Sequence, residues 1–399
     1  MTSGTPTLAG RRLGPAGVAV AVATALVNAV AYAVPVLGAR TLSAPDLSVL
    51  ATIMALSSIG VVPALALQTA LAVRFAREGA VANASRATGW TAAVTAGALI
   101  AVSPVVARVL DLPLALALLL APLTAAPVVA SRWLGELQGR QRFGRLAAGL
   151  VLLAVGRYAG LVAGLLAGSG VLASVMLAAV GAWLVLPLFT ALAHPVLAPG
   201  GNRLLGPDIA RAGTATLAML AVSYADLVLA RYLLPPAEAG AYAVGAVLTK
   251  GALWAPQMVT VLALPRLAQG NRRALLVAVG LVGACGALLV TASAVAGDLA
   301  VRLAGGGGYA GLSPYAAAFA GVGALYAVAF VLVNQELAAG VRRPAMPLWW
   351  GLAGLTSAVV FLIPARLDAL LTAALVTAAA TTAVLAVRAW TAPRGGEAS

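Results

Sequence analysis

The chain has few charged residues, and cysteine, histidine and lysine each occur only once. Charged residues make up 9% of its 399 residues and hydrophobic residues 62%. About a quarter of the residues of a soluble domain are charged, so a soluble chain of this size has too few charges to cover its surface. Cys285 and His194 are single, which excludes a disulfide framework and a clustered metal site. We therefore expect a membrane protein with no metal and no cofactor.

The chain also lacks the residue patterns of catalysis. It has no paired carboxylates, no nucleophile beside a base, and no phosphate-binding P-loop, because the glycine run at 305–308 is followed by neither Lys nor Ser/Thr. We interpret that run as a flexible turn in the longest external loop. The formal net charge of +14 is spread over short loops rather than gathered in a basic domain, so we expect no nucleic-acid partner.

Windows of about twenty apolar residues mark membrane helices. The sequence predicts twelve of them, and no soluble domain. Proline is expected to kink a helix where it lies inside a span, and six prolines do so: Pro63, Pro104, Pro122, Pro127, Pro187 and Pro256. The predicted spans are 15–36, 47–73, 88–108, 113–131, 146–168, 171–193, 209–232, 237–263, 274–297, 313–335, 346–364 and 367–388.

The arginines predict the orientation of these spans. Eighteen arginines fall in the termini and the even-numbered loops, against five in the odd-numbered loops. Loops rich in Lys and Arg stay in the cytoplasm, so both termini are predicted to be cytoplasmic. The five predicted external arginines are Arg40, Arg108, Arg231, Arg302 and Arg366.

Two stretches of the chain resemble each other at an offset of about 190 residues. Tyr32, Arg40 and Pro45 have counterparts in Tyr224, Arg231 and Pro236. Repeats within one chain are typical of transporters that rock one half against the other. We therefore predict an all-α integral membrane protein with six-helix lobes at 1–200 and 201–399, related as parallel repeats.

Lys250 is the first candidate site residue, because a lone cation inside a span has to face protein or water. It lies roughly 20 Å below the predicted external start of its helix at 1.5 Å per residue. Trp254 and Gln257 follow on the same helical face, and together the three suit a phosphate-and-sugar ligand. The alternative is that Lys250 snorkels or pairs with a carboxylate such as Asp226.

Other polar residues inside the spans are weaker candidates. Arg157 is able to bind a phosphate through two parallel hydrogen bonds, or else to tie down helix-end carbonyls. Asp226 is a candidate for coupling to H⁺ or Na⁺, or else neutralises Lys250 or Arg231. The other candidates are Asn28, Tyr32, Gln68 and Tyr224. Each of these side chains has two possible roles, contact with the ligand or a hydrogen bond between helices.

The segment from Ala230 to Ala268 resembles the seventh and eighth helices of Wzx-type polysaccharide-biosynthesis flippases. The matching residues are Asp226, Arg231, Leu233, Pro236, Glu238, Gly240, Tyr242, Pro256, Pro265 and Arg266. The resemblance implies the MOP superfamily, which includes the MATE transporters. That superfamily has twelve helices in two lobes around a central cavity that opens alternately to either side. Lipid II flippase relatives carry two further helices and several arginines in their first helices, which this chain lacks, so the substrate stays open.

The resemblance implies export of an undecaprenyl-pyrophosphate-linked oligosaccharide across the bacterial plasma membrane for surface polysaccharide biosynthesis. Lys250 and Arg157 would neutralise the pyrophosphate, while the lipid tail stays in the bilayer. Glycosyltransferases and a polymerase are the expected partners. One alternative is an ion-coupled multidrug exporter of the same superfamily, and another is a membrane-embedded enzyme of polysaccharide assembly.

Overall fold

The computed structural model describes residues 15–193, 204, 206–254, 272–339, 341 and 343–391. These residues form α-helices, one 3₁₀ helix and short connections, with no strand among them. Gln257, His194 and the predicted boundary between the lobes at residue 200 lie outside the described residues. The same holds for Pro256, Pro265 and Arg266 of the segment that resembles the flippases.

The first half of the described chain contains eight helices. They are α1 (Pro15–Thr41), α2 (Ala44–Gly60), α3 (Val62–Glu78), α4 (Ala84–Val109), α5 (Leu114–Gly139), α6 (Phe143–Leu166), α7 (Gly170–Leu184) and α8 (Leu186–Ala193).

The second half contains seven described α-helices and the 3₁₀ helix Gly307–Tyr315. The α-helices are α9 (Gly206–Leu233), α10 (Pro236–Trp254), α11 (Arg272–Val295), α12 (Gly297–Gly305), α13 (Ala316–Ala338), α14 (Met346–Phe361) and α15 (Leu367–Thr391).

The prediction of an all-α, multi-pass membrane protein is confirmed. Ten helical stretches of the described chain are long and apolar enough to cross a bilayer, and Met346–Phe361 is a shorter apolar helix. The remaining predicted span falls on α10, which is described over 19 residues up to Trp254. Eleven of the twelve predicted spans therefore coincide with a helix or with two consecutive helices, and the described part of the twelfth, 237–254, is helical.

Two predicted spans are each divided into two helices near a proline. The span 47–73 breaks at Val61, between α2 and α3, and Pro63 lies in the first turn of α3. The span 171–193 breaks at Val185, and Pro187 lies in the first turn of α8. Proline has no N–H to donate to the preceding turn, and its ring clashes with that turn, so the helix restarts at these two positions. Pro104, Pro122 and Pro127 instead lie inside the continuous helices α4 and α5.

The pairs of spans that pack together in the first half recur in the second. The α5 helix packs on α3, α4 and α7, while α6 packs on α1 and α7. Correspondingly, α13 packs on α10, α11 and α15, while α14 packs on α9 and α15. Each half thus has one helix, α5 or α13, that packs on three or more other spans of the same half.

The longest predicted external loop is ordered, and its interpretation as a flexible turn is wrong. Residues 297–305 form α12, and the 3₁₀ helix follows Gly306, whose φ is 84°. The α12 helix is amphipathic: Val301 and Ala304 are buried, whereas Asp298 and Arg302 form an exposed ion pair at 2.7 Å. Burial of its apolar side against the bundle stabilises a helix that glycine content alone disfavours.

Candidate substrate-binding cavity

Five helices from both halves enclose a cavity of about 610 Å³. α1, α2 and α6 of the first half and α9 and α10 of the second half contribute its walls. The lining positions 25–35 of α1, 157–158 of α6 and 220–227 of α9 lie well within these helices, and positions 243–254 of α10 lie within the predicted span 237–263. The cavity therefore lies in the interior of the predicted membrane-spanning bundle.

Small residues bring α1 and α10 together at the cavity wall. A Cβ atom added at Gly251 of α10 would lie 3.1 Å from the Tyr32 hydroxyl of α1. Ala25 and Ala29 line the cavity from α1, where larger side chains would fill the space. Glycine and alanine thus allow close helix packing here while leaving room beside it.

Lys250 lies at the cavity and is held by α9. Its ammonium donates a hydrogen bond to the Ser223 carbonyl and lies 3.4 Å from the centre of the Tyr224 ring. The carbonyl dipole and the ring quadrupole both stabilise a cation. This geometry does not fit snorkelling to a helix end. Asp226 lies near enough to interact with Lys250 electrostatically, but no hydrogen bond joins the two side chains among the described residues.

Arg157 lies at the same cavity, on α6 of the first half. Its Nη2 donates to the Ser57 hydroxyl at 2.7 Å, and its guanidinium lies 5.5 Å from the centre of the Tyr158 ring. Its Nε is buried and has no hydrogen-bond partner among the described residues. Arginine carries five N–H donors in a planar fork, so this side chain has donors left for an anionic ligand.

Aromatic and amide side chains complete the polar part of the lining. Tyr32, Tyr224 and Trp254 line the cavity, as does Asn28. Six of the eight predicted substrate-binding residues are thus brought to one cavity, namely Asn28, Tyr32, Arg157, Tyr224, Lys250 and Trp254.

The described lining of the cavity carries positive charge. Arg157 and Lys250 belong to it, while no Asp or Glu does. Apolar side chains make up most of the remaining wall, and in such surroundings a charge interacts more strongly than in water. An anionic group entering the cavity would meet two cations contributed by different halves of the chain.

Gln68 and Asp226 lie elsewhere. The Gln68 amide donates to Gln138 Oε1 at 2.9 Å, so it joins α3 to α5 rather than lining the cavity. Asp226 is buried, and its Oδ2 accepts a hydrogen bond from the Tyr242 hydroxyl at 3.0 Å. The predicted alternative in which Asp226 neutralises Arg231 is wrong, because Arg231 binds residues between α4 and α5.

Sequence reasoning missed the two serines of α2 at the cavity. Ser57 anchors Arg157, and Ser58 lines the cavity one residue further on. Both precede the break between α2 and α3. Adjacent hydroxyl residues a few positions before a proline, inside an otherwise apolar span, are the signal that could have identified them.

Comparison with known proteins places this chain by its fold. No family model and no curated protein matches it in sequence. It is similar to solved structures of MATE transporters of the MOP superfamily. One is MATE in complex with MaL6, at a TM-score of 0.61 and 12% identity over 94% of this chain and 96% of that chain.

Two further neighbours extend this likeness. An outward-facing multidrug resistance MATE family transporter of the MOP superfamily has a TM-score of 0.58 at 12% identity, covering 94% of both chains. A MOP superfamily transporter from Pyrococcus furiosus Vc1 (DSM3638) has a TM-score of 0.57 at 12% identity, covering 94% of this chain and 95% of that chain. The latter is described as having a binding pocket of reverse polarity that suggests a different function. The chain therefore has the MATE transporter fold.

Proposed function

We propose that this protein is a transporter that moves an anionic lipid-linked oligosaccharide across the plasma membrane of a bacterium by alternating access. The substrate class is an undecaprenyl-pyrophosphate-linked saccharide destined for a surface polysaccharide. The observation that carries the proposal is the cavity between the halves, to which Arg157 and Lys250 contribute positive charge and no described residue contributes a carboxylate.

The two cations suit a pyrophosphate because their chemistry differs. The guanidinium of Arg157 offers planar, directional donors that match phosphate oxygens, whereas the ammonium of Lys250 acts as a compact point charge. Aromatic rings beside each cation, such as Tyr158 and Tyr224, give the sugar an apolar face to pack on. The cavity would thus replace the water around a charged headgroup with fixed donors during its passage through the bilayer.

The lipid tail would remain in the bilayer beside α1. This helix lines the cavity with Asn28 and Tyr32, while Val22 and Leu26 of the same helix are 61% and 52% exposed. With the headgroup in the cavity and the tail in the bilayer, the part of the lipid that connects them would pass beside α1. Glycosyltransferases and a polymerase would supply the substrate and use the product.

An ion-coupled multidrug exporter is the second candidate, since a structural neighbour is a multidrug resistance transporter. A cavity for cationic drugs needs accessible acidic groups, and Asp226, the candidate for H⁺ or Na⁺ coupling, instead bonds to Tyr242 and does not line the cavity. The neighbour with a pocket of reverse polarity illustrates that this fold also occurs with other cavity charges.

Transport by the purified protein in proteoliposomes tests the proposal. The probe is a fluorescent undecaprenyl-pyrophosphate saccharide, and a membrane-impermeant quencher reports the fraction that reaches the outer leaflet. Lys250→Ala and Arg157→Ala should each slow the movement by at least about tenfold, because each removes a charge-assisted contact to the headgroup.

Arg302→Ala is the matched control, since it removes an exposed cation that is paired within α12 and should leave the rate unchanged. Movement of the probe at the normal rate in Lys250→Ala would refute the role of the cavity. Efflux of cationic dyes that disappears in Asp226→Asn, with no movement of the lipid probe, would establish the multidrug alternative instead.

A further inference from the structure

Arg231, in the last turn of α9, binds backbone groups of the other half of the chain. Its Nε donates to the Leu110 carbonyl at 2.9 Å and its Nη2 to the Asp111 carbonyl at 2.5 Å. A longer contact of 3.5 Å reaches the Ser48 hydroxyl of α2. The guanidinium is buried, so these hydrogen bonds are shielded from water.

Arg40 makes the reciprocal contact. It lies in the last turn of α1, and its Nη2 reaches the Leu303 carbonyl of α12 at 3.5 Å. In the internal repeat of the sequence, Arg40 is the counterpart of Arg231. Leu303 lies between α11 and α13, just as Leu110 lies between α4 and α5. Each half therefore extends an arginine from its first helix to the loop between the third and fourth spans of the other half.

The backbone at Asp111 is shaped for this contact. Its φ is 48°, in the left-handed region that a non-glycine residue seldom occupies. The conformation directs its carbonyl to Arg231, while its carboxylate is 93% exposed and lies 3.6 Å from the guanidinium. An exposed carboxylate adds little attraction, so the carbonyls and not the ion pair hold the arginine.

Both contacts lie on the face that is predicted to be external, where arginines are rare in this chain. A role in joining the halves accounts for arginines at positions that the charge bias of the loops disfavours. The two contacts differ in strength: Arg231 is buried with several acceptors, whereas Arg40 is exposed with one long contact. Arg231 should therefore provide most of the attachment.

We propose that Arg231 and Arg40 are reciprocal latches that hold the predicted external ends of the halves together, and that the cavity opens to that side only when they release. This proposal rests on alternating access, which is part of the proposed function, and not on the identity of the substrate. A buried arginine tied to carbonyls of the other half has to lose those bonds before the two halves separate.

Access to a cysteine in the cavity tests the latches. In a Cys285→Ser background, Ser58→Cys places one thiol in the cavity wall, and an impermeant maleimide is added to the external side of intact cells. Arg231→Ala should speed labelling by about tenfold, the effect of losing buried hydrogen bonds to a charged group. Arg40→Ala should have a smaller effect, and the double variant the largest.

A pair of substitutions at Asp111 tests the same contact without removing the arginine. Asp111→Asn keeps a residue that tolerates the left-handed region and should label at the parental rate. Asp111→Val disfavours that conformation, turns the carbonyl away and should speed labelling. Arg366→Ala removes an exposed cation from the same predicted face that takes part in neither contact, and should leave the labelling rate unchanged. Gel filtration identifies any variant that fails to fold. If Arg231→Ala is such a variant, the labelling rates of Asp111→Asn and Asp111→Val test the contact in its place.

Parental labelling rates in both Arg231→Ala and Asp111→Val would overturn the latches. Because labelling requires no substrate, this outcome together with normal movement of the lipid probe would leave the proposed function standing. Faster labelling in a protein that moves no lipid pyrophosphate would support the latches and reject the substrate.

Discussion

At the scale of single residues, the two cations of the cavity are held in different ways. Lys250 is fixed by the Ser223 carbonyl and the Tyr224 ring, whereas Arg157 has one hydroxyl partner and a buried Nε without one among the described residues. An unsatisfied buried donor is costly unless a ligand completes it. Arg157 should therefore gain more from an anionic headgroup than Lys250 does, although both contribute charge.

Ser57→Ala should weaken substrate binding while leaving the maximal rate nearly unchanged. The substitution removes the 2.7 Å hydrogen bond that orients Arg157, and the guanidinium then pays more rotamer entropy to meet the headgroup. An increase in KM of about fivefold to tenfold corresponds to about 1–1.4 kcal/mol, the net contribution of an ordinary intramolecular hydrogen bond. Initial rates in proteoliposomes at a series of probe concentrations measure it.

Ser131→Ala is the matched control for that substitution. The buried Ser131 hydroxyl bonds to the Val128 carbonyl within its own helix and does not line the cavity, so its removal leaves Arg157 anchored. An equal rise in KM for both variants would contradict a specific role of Ser57 in holding Arg157.

Candidate residues could be predicted from the sequence because charged and polar side chains stand out in apolar spans. Arg157, Lys250 and Tyr224 were found in this way, and they line one cavity. Which face of a helix turns toward the cavity could not be predicted, because a buried span is apolar on every side. Gln68 shows the consequence, since its amide joins α3 to α5 instead.

At the scale of helices, α5 packs on α3 through glycines one turn apart. A Cβ atom added at Gly135 would lie 2.8 Å from both the Gln68 carbonyl oxygen and the Leu71 Cβ. Gly139, four residues later, likewise faces the backbone of α3 at Ala72. Small residues spaced in this way let two membrane helices approach closely.

Gly135→Val should destabilise the protein by about 1–3 kcal/mol, since the added side chain forces α5 away from α3. Thermal unfolding in detergent, followed by loss of monodisperse protein, measures the change. Gly97→Val is the control, because it makes the same substitution inside α4, where a Cβ atom meets nothing within 4 Å. Equal losses of stability in both variants would show that helix propensity rather than packing is responsible.

The spans could be predicted from the sequence more securely than the short elements between them. Twenty apolar residues identify a span whatever packs on it. By contrast, α12 contains only nine residues, and its helix depends on burying Val301 and Ala304 against the bundle. Its glycine-rich end suggested a flexible turn because local composition carries no information about that tertiary contact.

At the scale of the whole molecule, the two halves each contribute one cation to a shared cavity. Arg157 belongs to α6 and Lys250 to α10, so a single anion contacting both would join the halves. A headgroup with two phosphates has enough oxygens to do so, while a single small cation offers neither residue a favourable contact. Binding of a pyrophosphate lipid should therefore stabilise the assembled cavity more than it stabilises either half alone.

A double-mutant cycle on ligand-induced stabilisation tests this bridging. The shift in unfolding temperature caused by an undecaprenyl pyrophosphate is measured in the parent, in Arg157→Gln, in Lys250→Gln and in the double variant. If one anion bridges both cations, either single substitution removes most of the shift and the double variant loses little more. That result corresponds to a coupling of about 0.5–3 kcal/mol. Additive losses would instead mean that the two cations hold separate anionic groups, and the substrate would then join the halves only through the cavity's apolar walls.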